Sequence, residues 1–354
     1  MKVCIVGAGQ IAEAHIEEIQ KIKGAEVVAL CDLRRTPTWA LAEKYNIKST
    51  YTALEEMLEN EELDVVHITT PPGSHFFIAQ KSLEANCHVY IEKPLTLTAQ
   101  ETKELLVLAQ QKDLMVCPGT HRLRSHETLS TFDIVNNKEH FGEMVHIDAV
   151  FGYNLEGPFG KMVISNPDHW IAKLPGQIFQ NNISHPIAMI APYLSDDLDI
   201  SAIAFDKSNN GIINDELRVQ IFDKKNKITA SVNFISGARP VQFLVRYFGS
   251  QSTVNLNLTE HFLLEDKSQS LPGGLGLSLN VRTKAKSLAK QFRTNFMAFW
   301  TGKETFFSDM RRLIDDFYQA IETKGKPPVP YDELQRTSDI IDAINAQITA
   351  PGDK

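Results

Sequence analysis

Residues Lys2 to Ala12 read KVCIVGAGQIA, an apolar run that opens into Gly7-Ala8-Gly9-Gln10-Ile11-Ala12. A nucleotide pyrophosphate needs this kind of strand-to-helix turn. Gly7 permits the sharp exit from the strand, and Gly9 lets the amides of Gln10 and Ile11, at the start of the next helix, come close to a diphosphate. Ala12 stands where the fingerprint takes Gly or Ala and keeps that helix near the sheet. A glycine pair alone also fits an ordinary βα turn. The second apolar run, Val27-Val28-Ala29-Leu30-Cys31, tips the balance, because it ends in Asp32, about 25 residues past Gly7, where a ribose-binding acid belongs.

Working outward, the 354 residues are enough for two domains with their own cores, and a hydrophobic content of 43% is that of a globular chain. The net charge of −8 argues against a nucleic-acid surface. No run of about 18 apolar residues and no leader pattern is present, so a cytoplasmic protein is expected. Cys4, Cys31, Cys87 and Cys117 lack metal-ligand spacing and read as small buried residues; no metal site is expected.

From Lys2 to about Gly119, short Val/Ile-rich segments near 2–6, 26–31, 64–69, 88–91 and 114–117 alternate with helical patterns. That alternation predicts a doubly wound parallel sheet over residues 1–120. Thr52 with Glu55 and Thr98 with Glu101 fit capping boxes at two helix starts. Beyond Gly142, alternating segments near 144–153, 199–206, 215–223, 227–236, 240–248 and 252–258 predict an α+β domain over 121–354 with a large, mostly antiparallel sheet. An exposed apolar face on that sheet would suit a homodimer or homotetramer. Helical periodicity over 307–321 and 332–348 predicts last helices, within about 304–350, that pack back toward the first domain. The segment 154–180, rich in Gly, Pro and Asn, reads as a long functional loop.

Two constellations carry chemistry. Val89-Tyr90-Ile91-Glu92-Lys93-Pro94 sets Lys93 just off the carboxyl end of a parallel strand, on the ligand side of such a sheet. There it can hydrogen-bond a substrate hydroxyl and steady the charge that develops on oxygen, with Glu92 holding the ammonium; a plain ion pair at a strand end fits too. Gln180 to Pro186 brings His185 to the start of an apolar helix, where imidazole can exchange a proton near neutral pH or serve structure alone. His169 beside Trp170 could floor a sugar site or form a packing corner.

GAGQIA followed by His15, then Thr69-Thr70-Pro71-Pro72-Gly73-Ser74-His75, then Glu92-Lys93-Pro94-Leu95, then the segment ending at His185, resembles the glucose-fructose oxidoreductase / inositol dehydrogenase (Gfo/Idh/MocA) family. The resemblance implies a nicotinamide dinucleotide held by the first domain through the glycine turn, Thr70, Pro71, His75 and Glu92, with Lys93 at the nicotinamide. It implies a sugar, cyclitol or nucleotide sugar as substrate, with His185 as acid/base, hence an NAD(P)-dependent dehydrogenase or reductase. Where the family commonly carries aspartate four residues before the histidine, this chain has Asn181, which takes no proton but can orient hydroxyls. Pro72 replaces a usual Asn. Asp32 favours NAD(H), while Arg34 and Arg35 leave NADP(H) open. Asn181 also gives weight to a non-catalytic dinucleotide-binding sensor or scaffold, and within the enzyme class transient oxidation with the cofactor recycled in place is a further alternative.

Residues 281–300, VRTKAKSLAKQFRTNFMAFW, align Val281, Ala285, Leu288, Phe292, Phe296 and Phe299 along one helical stripe amid five basic residues. Such helices can lie on anionic membranes; burial of the stripe against its own domain or another subunit is the commoner arrangement.

Overall fold

The computed structural model describes residues 1–267, 273–301 and 307–348. It divides into two compact units, one of Met1–Arg124 with Phe306–Asp339 and one of Ser125–Thr305 with Ile340–Lys354.

The first unit alternates strand and helix: β1 (Lys2–Val6), α1 (Gln10–Ile19), β2 (Glu26–Cys31), α2 (Arg35–Tyr45), β3 (Ser49–Tyr51), α3 (Leu54–Asn60), β4 (Val65–Ile68), α4 (His75–Glu84), β5 (His88–Ile91), α5 (Ala99–Gln111) and β6 (Val116–Pro118). All strands run parallel in the order β3-β2-β1-β4-β5-β6, the doubly wound arrangement. The strands read as continuous apolar runs because helices cover both faces, and β4 is buried along its whole length. Ala12 in α1 is fully buried.

Thr98 caps α5 in a full capping box with Glu101, worth about 1 kcal/mol. The box expected at Thr52 and Glu55 does not form: α3 starts one residue late for it, with Ala53 as N-cap and no side-chain cap. The threonine then lies outside the helix and Glu55 falls at its second position, out of register for reciprocal bonds. The strand β3, absent from the sequence reading, is a three-residue, half-buried edge.

The second unit contains α6 (His126–Asn136), α7 (Lys138–Phe141), β7 (Met144–Gly152), α8 (Pro158–Ile164), α9 (Gln177–Asn182), α10 (Ser184–Ile190), β8 (Leu198–Phe205), β9 (Glu216–Asp223), β10 (Ile228–Ile235), β11 (Phe243–Gly249), β12 (Ser252–Asn257), β13 (Phe262–Lys267) and α11 (Gly273–Trp300). The sheet order is β13-β12-β11-β7-β10-β9-β8, and every pairing is antiparallel except β7 with β10. Its inner face carries Ile147, Ala149, Val232, Phe234, Val245 and Tyr247, buried beneath α9 and α10. The Tyr247 hydroxyl donates to the Met189 carbonyl (3.0 Å). The opposite face is mixed: Ser231 donates to Asp148 (2.5 Å), while Ile203, Phe205 and Phe222 are exposed. The 154–180 segment is less loop-like than expected, since it contains α8 and the start of α9.

The chain then returns through α12 (Ser308–Thr323) to the first unit, and α13 (Tyr331–Asn345) begins there. In α12, Met310, Leu313, Ile314 and Phe317 form a buried stripe at helical spacing. Arg311 pairs with Glu18 of α1 (3.3 Å), Arg122 with Asp309 (3.1 Å), and the Val116 amide donates to the Tyr331 hydroxyl (2.9 Å). Within the first unit these bonds tie α12 to α1 and to the turn after β6, and the start of α13 to β6 itself.

Candidate active site

Four loops of the first unit leave the carboxyl ends of β1, β2, β4 and β5, and the sequence-predicted dinucleotide residues sit on them. Gly7 has φ +108°, and a Cβ there would lie 2.8 Å from the backbone of Thr69 and Thr70, so no other residue fits. Gly9 differs. It is the extended N-cap of α1, and a Cβ there would meet no protein atom within 4 Å. The protein's own packing does not demand glycine at that position. A ligand lying against the turn would, and the exposed Gln10 and half-buried Ile11 begin the helix whose amides face it. The residues present therefore fit a diphosphate.

Asp32 Oδ2 accepts from the Ala8 amide (2.7 Å), and Oδ1 accepts from the Arg34 amide (2.8 Å) and from Arg34 Nε (3.2 Å). Burial alone would raise its pKa, but these bonds outweigh it and hold the carboxyl below its ordinary value. The acid thus braces the glycine turn and draws Arg34 to itself. After β4, Thr69 donates to the Gly7 carbonyl (2.8 Å), Thr70 accepts from Ser74 (2.8 Å), and Pro71 is exposed. His75, expected among the cofactor contacts, is fully buried, with Nε2 2.8 Å from the Thr70 carbonyl and Nδ1 2.9 Å from the Pro94 carbonyl. Both ring nitrogens already face protein. Its role is to strap the loop after β4 to the turn after β5.

Glu92 and Lys93 follow β5, and the Lys93-Pro94 bond is cis. Glu92 is buried, which would raise its pKa; its hydrogen bond with His15 and the nearby charge of Lys93 overcome that and lower it. Gly119 makes the space, since a Cβ there would fall 2.9 Å from Glu92 Oε1. The half-buried Lys93 is pulled below the ordinary lysine range by burial, against the opposing effect of Glu92. A lysine so placed exchanges protons more readily near neutral pH than one in water.

Behind Glu92 lies a buried relay that the sequence reading did not find. His15 Nε2 is 3.2 Å from Glu92 Oε1, His15 Nδ1 is 2.9 Å from His67 Nδ1, and His67 Nε2 is 2.8 Å from the Tyr318 hydroxyl. A carboxylate only accepts, so His15 must donate through Nε2 and accept through Nδ1. His67 then donates through Nδ1 and accepts from Tyr318, which satisfies every member with neutral rings. Burial holds the His67 pKa well below its usual value, consistent with that tautomer chain. Tyr90 stacks on His67 with ring centroids 4.7 Å apart. The only sequence signal was a histidine in the middle of the apolar run VVHI.

The relay makes a test of its own. His67→Leu removes the acceptor for Tyr318 and the donor to His15 inside the core, and is expected to cost about 2–4 kcal/mol of stability. Tyr318→Phe removes one donor only and should cost about 1 kcal/mol. Denaturant unfolding reads both; equal, negligible losses would contradict the relay.

In the second unit, Asn181 lies in α9 and His185 in α10, four residues apart and both buried. Phe151 of β7 stacks at 6.1 Å from the His185 ring, and Phe243 of β11 tilts at 6.4 Å, so an aromatic wall fixes the imidazole plane. Gln180 Oε1 accepts from the Gly176 amide (3.1 Å) and holds the entry to α9. His169 and Trp170 sit in a half-buried corner with Phe159, ring centroids 5.7 Å and 5.6 Å from His169, and His169 Nδ1 accepts from the Ile171 amide (3.3 Å). Among the described residues no cluster of three or more His, Cys, Asp or Glu is placed to hold a metal.

Comparison with known proteins agrees with this architecture. In Escherichia coli, D-glucoside 3-dehydrogenase is 32% identical over 138 residues, 39% of this chain and 39% of that protein. An alpha-N-acetylgalactosaminidase of Shewanella oneidensis is 24% identical over 209 residues, 55% of this chain and 44% of that one. The matches span less than half the length of these curated relatives. Among solved structures, the WlbA dehydrogenase from Bordetella pertussis, in complex with NADH and UDP-GlcNAcA, superposes with a TM-score of 0.79 at 17% identity, over 98% of this chain and 95% of that one. It shows that the two share a fold. Residues 1–120, about a third of the chain, match the family model GFO_IDH_MocA, an oxidoreductase family with an NAD-binding Rossmann fold.

Proposed function

We propose that this protein moves a hydride between a nicotinamide dinucleotide and a hydroxyl-bearing carbon of a sugar, cyclitol or nucleotide sugar. The observation that carries the reading is Lys93 at the carboxyl end of β5, its pKa lowered by burial and its neighbour Glu92 kept anionic. Gly7, Gly9 and the amides that open α1 would hold the diphosphate, and Asp32 the adenine ribose. When bound, the nicotinamide supplies the hydride acceptor or donor. Lys93 Nζ hydrogen-bonds the reacting oxygen and steadies the negative charge that grows on it. His185 takes the hydroxyl proton in oxidation and returns it in reduction. Asn181, which has no titratable proton, orients substrate hydroxyls, with His169 and Trp170 as the further sugar contacts. The relatives support the substrate class: one is named a glucoside dehydrogenase, and the WlbA structure holds a nucleotide sugar. The exposed Ile203, Phe205 and Phe222 on the second sheet support a homo-oligomer, a dimer or tetramer. Incubation with NAD(H) or NADP(H) and a panel of such compounds, followed by nicotinamide absorbance, tests the assignment; a protein that binds the dinucleotide but turns over none of them would oppose it.

One observation favours a second reading within the same chemistry. A relative is named as a glycosidase, whose overall reaction involves no net oxidation. Transient oxidation with the cofactor restored in place would give product without net change in nicotinamide absorbance.

For cofactor choice, NAD(H) is preferred. Asp32 would repel a 2′-phosphate, and Arg34, one of the two arginines that could receive one, is engaged by Asp32. Dissociation constants measured side by side are expected to favour NAD(H) by at least about tenfold, the equivalent of 1.4 kcal/mol. Tighter binding of NADP(H) would reverse the choice.

A further inference from the structure

The helix α11 presents its apolar stripe to solvent. Among the described residues, the bonds that hold it to the rest of its unit come from its polar side: Lys284 pairs with Asp266 (2.6 Å), and Asn295 Nδ2 donates to the His261 carbonyl (2.9 Å), while Asn295 Oδ1 accepts from Gln291 Nε2 within the helix (3.0 Å). Facing away are Val281 at 67% exposure, Phe292 at 70%, Phe296 at 50% and Trp300 at 75%. The last three rings form a stacked row, with centroids 6.0 Å and 6.2 Å apart. The Phe299 side chain, part of the stripe read from the sequence, lies outside the described residues. Burial against its own domain, the commoner arrangement for such a stripe, is therefore not what this helix does, because the polar side took the docking position.

Beside the aromatic row lie Arg282, Lys286, Lys290 and Arg293, all exposed, which at 100° per residue fall within an arc of about 80°. Residues 273–300 contain no Asp or Glu, in a chain whose net charge is −8. A two-fold contact through this helix would set one all-basic segment against another, and like charges oppose it. An anionic surface accepts both features at once. Aromatic side chains seat at the headgroup boundary and basic ones pair with phosphates.

We propose that α11 docks this protein on the surface of an anionic lipid bilayer, with the aromatic row entering the headgroup region and the basic flank pairing with lipid phosphates. The contact is peripheral, since no described helix is long and apolar enough to cross a membrane.

Sedimentation of the full chain with phosphatidylcholine vesicles, with and without phosphatidylglycerol, tests this. Pelleting is expected only with the anionic vesicles and is expected to fade as salt is raised. Exchanging Lys286, Lys290 and Arg293 for Gln should weaken partitioning by roughly a hundredfold, at about fivefold per basic residue. Phe292→Ser with Trp300→Ser should release the protein too, and dinucleotide affinity, unchanged in both variants, would show that the fold survives. A chain that stays in the supernatant at low salt, or pelleting indifferent to either variant, would overturn the proposal. So would light scattering in the absence of lipid that shows a larger assembly lost in the Phe292/Trp300 variant, because the row would then belong to a second copy.

Discussion

Lys93→Ala is expected to lower turnover by about two to four orders of magnitude while the dinucleotide still binds, the usual range for loss of an acid/base or oxyanion-stabilising group. The side chain is a charge whose surroundings have been arranged. Burial lowers its pKa, Glu92 resists, and Glu92 is itself held anionic through His15. Lys93→Arg should not rescue activity, because a guanidinium keeps its proton and its planar fork does not reproduce a point ammonium. His185→Ala should fall in the same range. Residues that act on one proton inventory are not additive, so the double variant is expected to lose little more than the worse single one. Full activity in both single variants would remove the catalytic assignment.

Gly9→Val is the second large effect, and it separates binding from folding. The Cβ of a residue at position 9 points into open space, and the backbone there is extended with φ −85°, so the valine protein should fold with unchanged stability. Its dinucleotide affinity should nevertheless fall by about tenfold or more, since the side chain occupies the ground a diphosphate needs. Gly7→Ala reverses the pattern. With φ +108° and a new Cβ 2.8 Å from the Thr69 and Thr70 backbone, it should destabilise the first unit by about 2 kcal/mol or more. Calorimetric titration together with thermal unfolding reads the contrast; a Gly9→Val protein with wild-type affinity would show that no diphosphate lies against the turn.

The parallel sheet was legible because its strands are buried on both faces and its glycine turn has few other uses. Asp32 and Lys93 could be placed at carboxyl ends of strands for the same reason. What stayed hidden depended on partners distant in sequence or on single-residue offsets. His67 and Tyr318 are 251 residues apart, and no local pattern links them. Thr52 missed its capping box by one position, which periodicity does not resolve. His75 resembled a ligand contact, but the turn after β5 brought a carbonyl to its second nitrogen. The short edge strand β3 and the charged strand β13, FLLEDK, lack the alternation that revealed their neighbours. In α11 the stripe was visible, but which face its domain would take was not. That was settled by Asp266 and the His261 carbonyl, which attract polar groups.

In the proposed reaction a hydride leaves a carbon of the substrate for the nicotinamide, with Lys93 and His185 handling the oxygen and its proton. A substrate from the sugar panel carrying deuterium on its carbinol carbon tests it most directly, with the dinucleotide recovered and weighed by mass spectrometry. The predicted result is deuterium on the reduced cofactor, or, if the cofactor is recycled in place, its return to the product carbon and loss of that transfer in Lys93→Ala. A dinucleotide that binds and emerges unlabelled and unreduced, while the substrate keeps its deuterium unmoved, would contradict it.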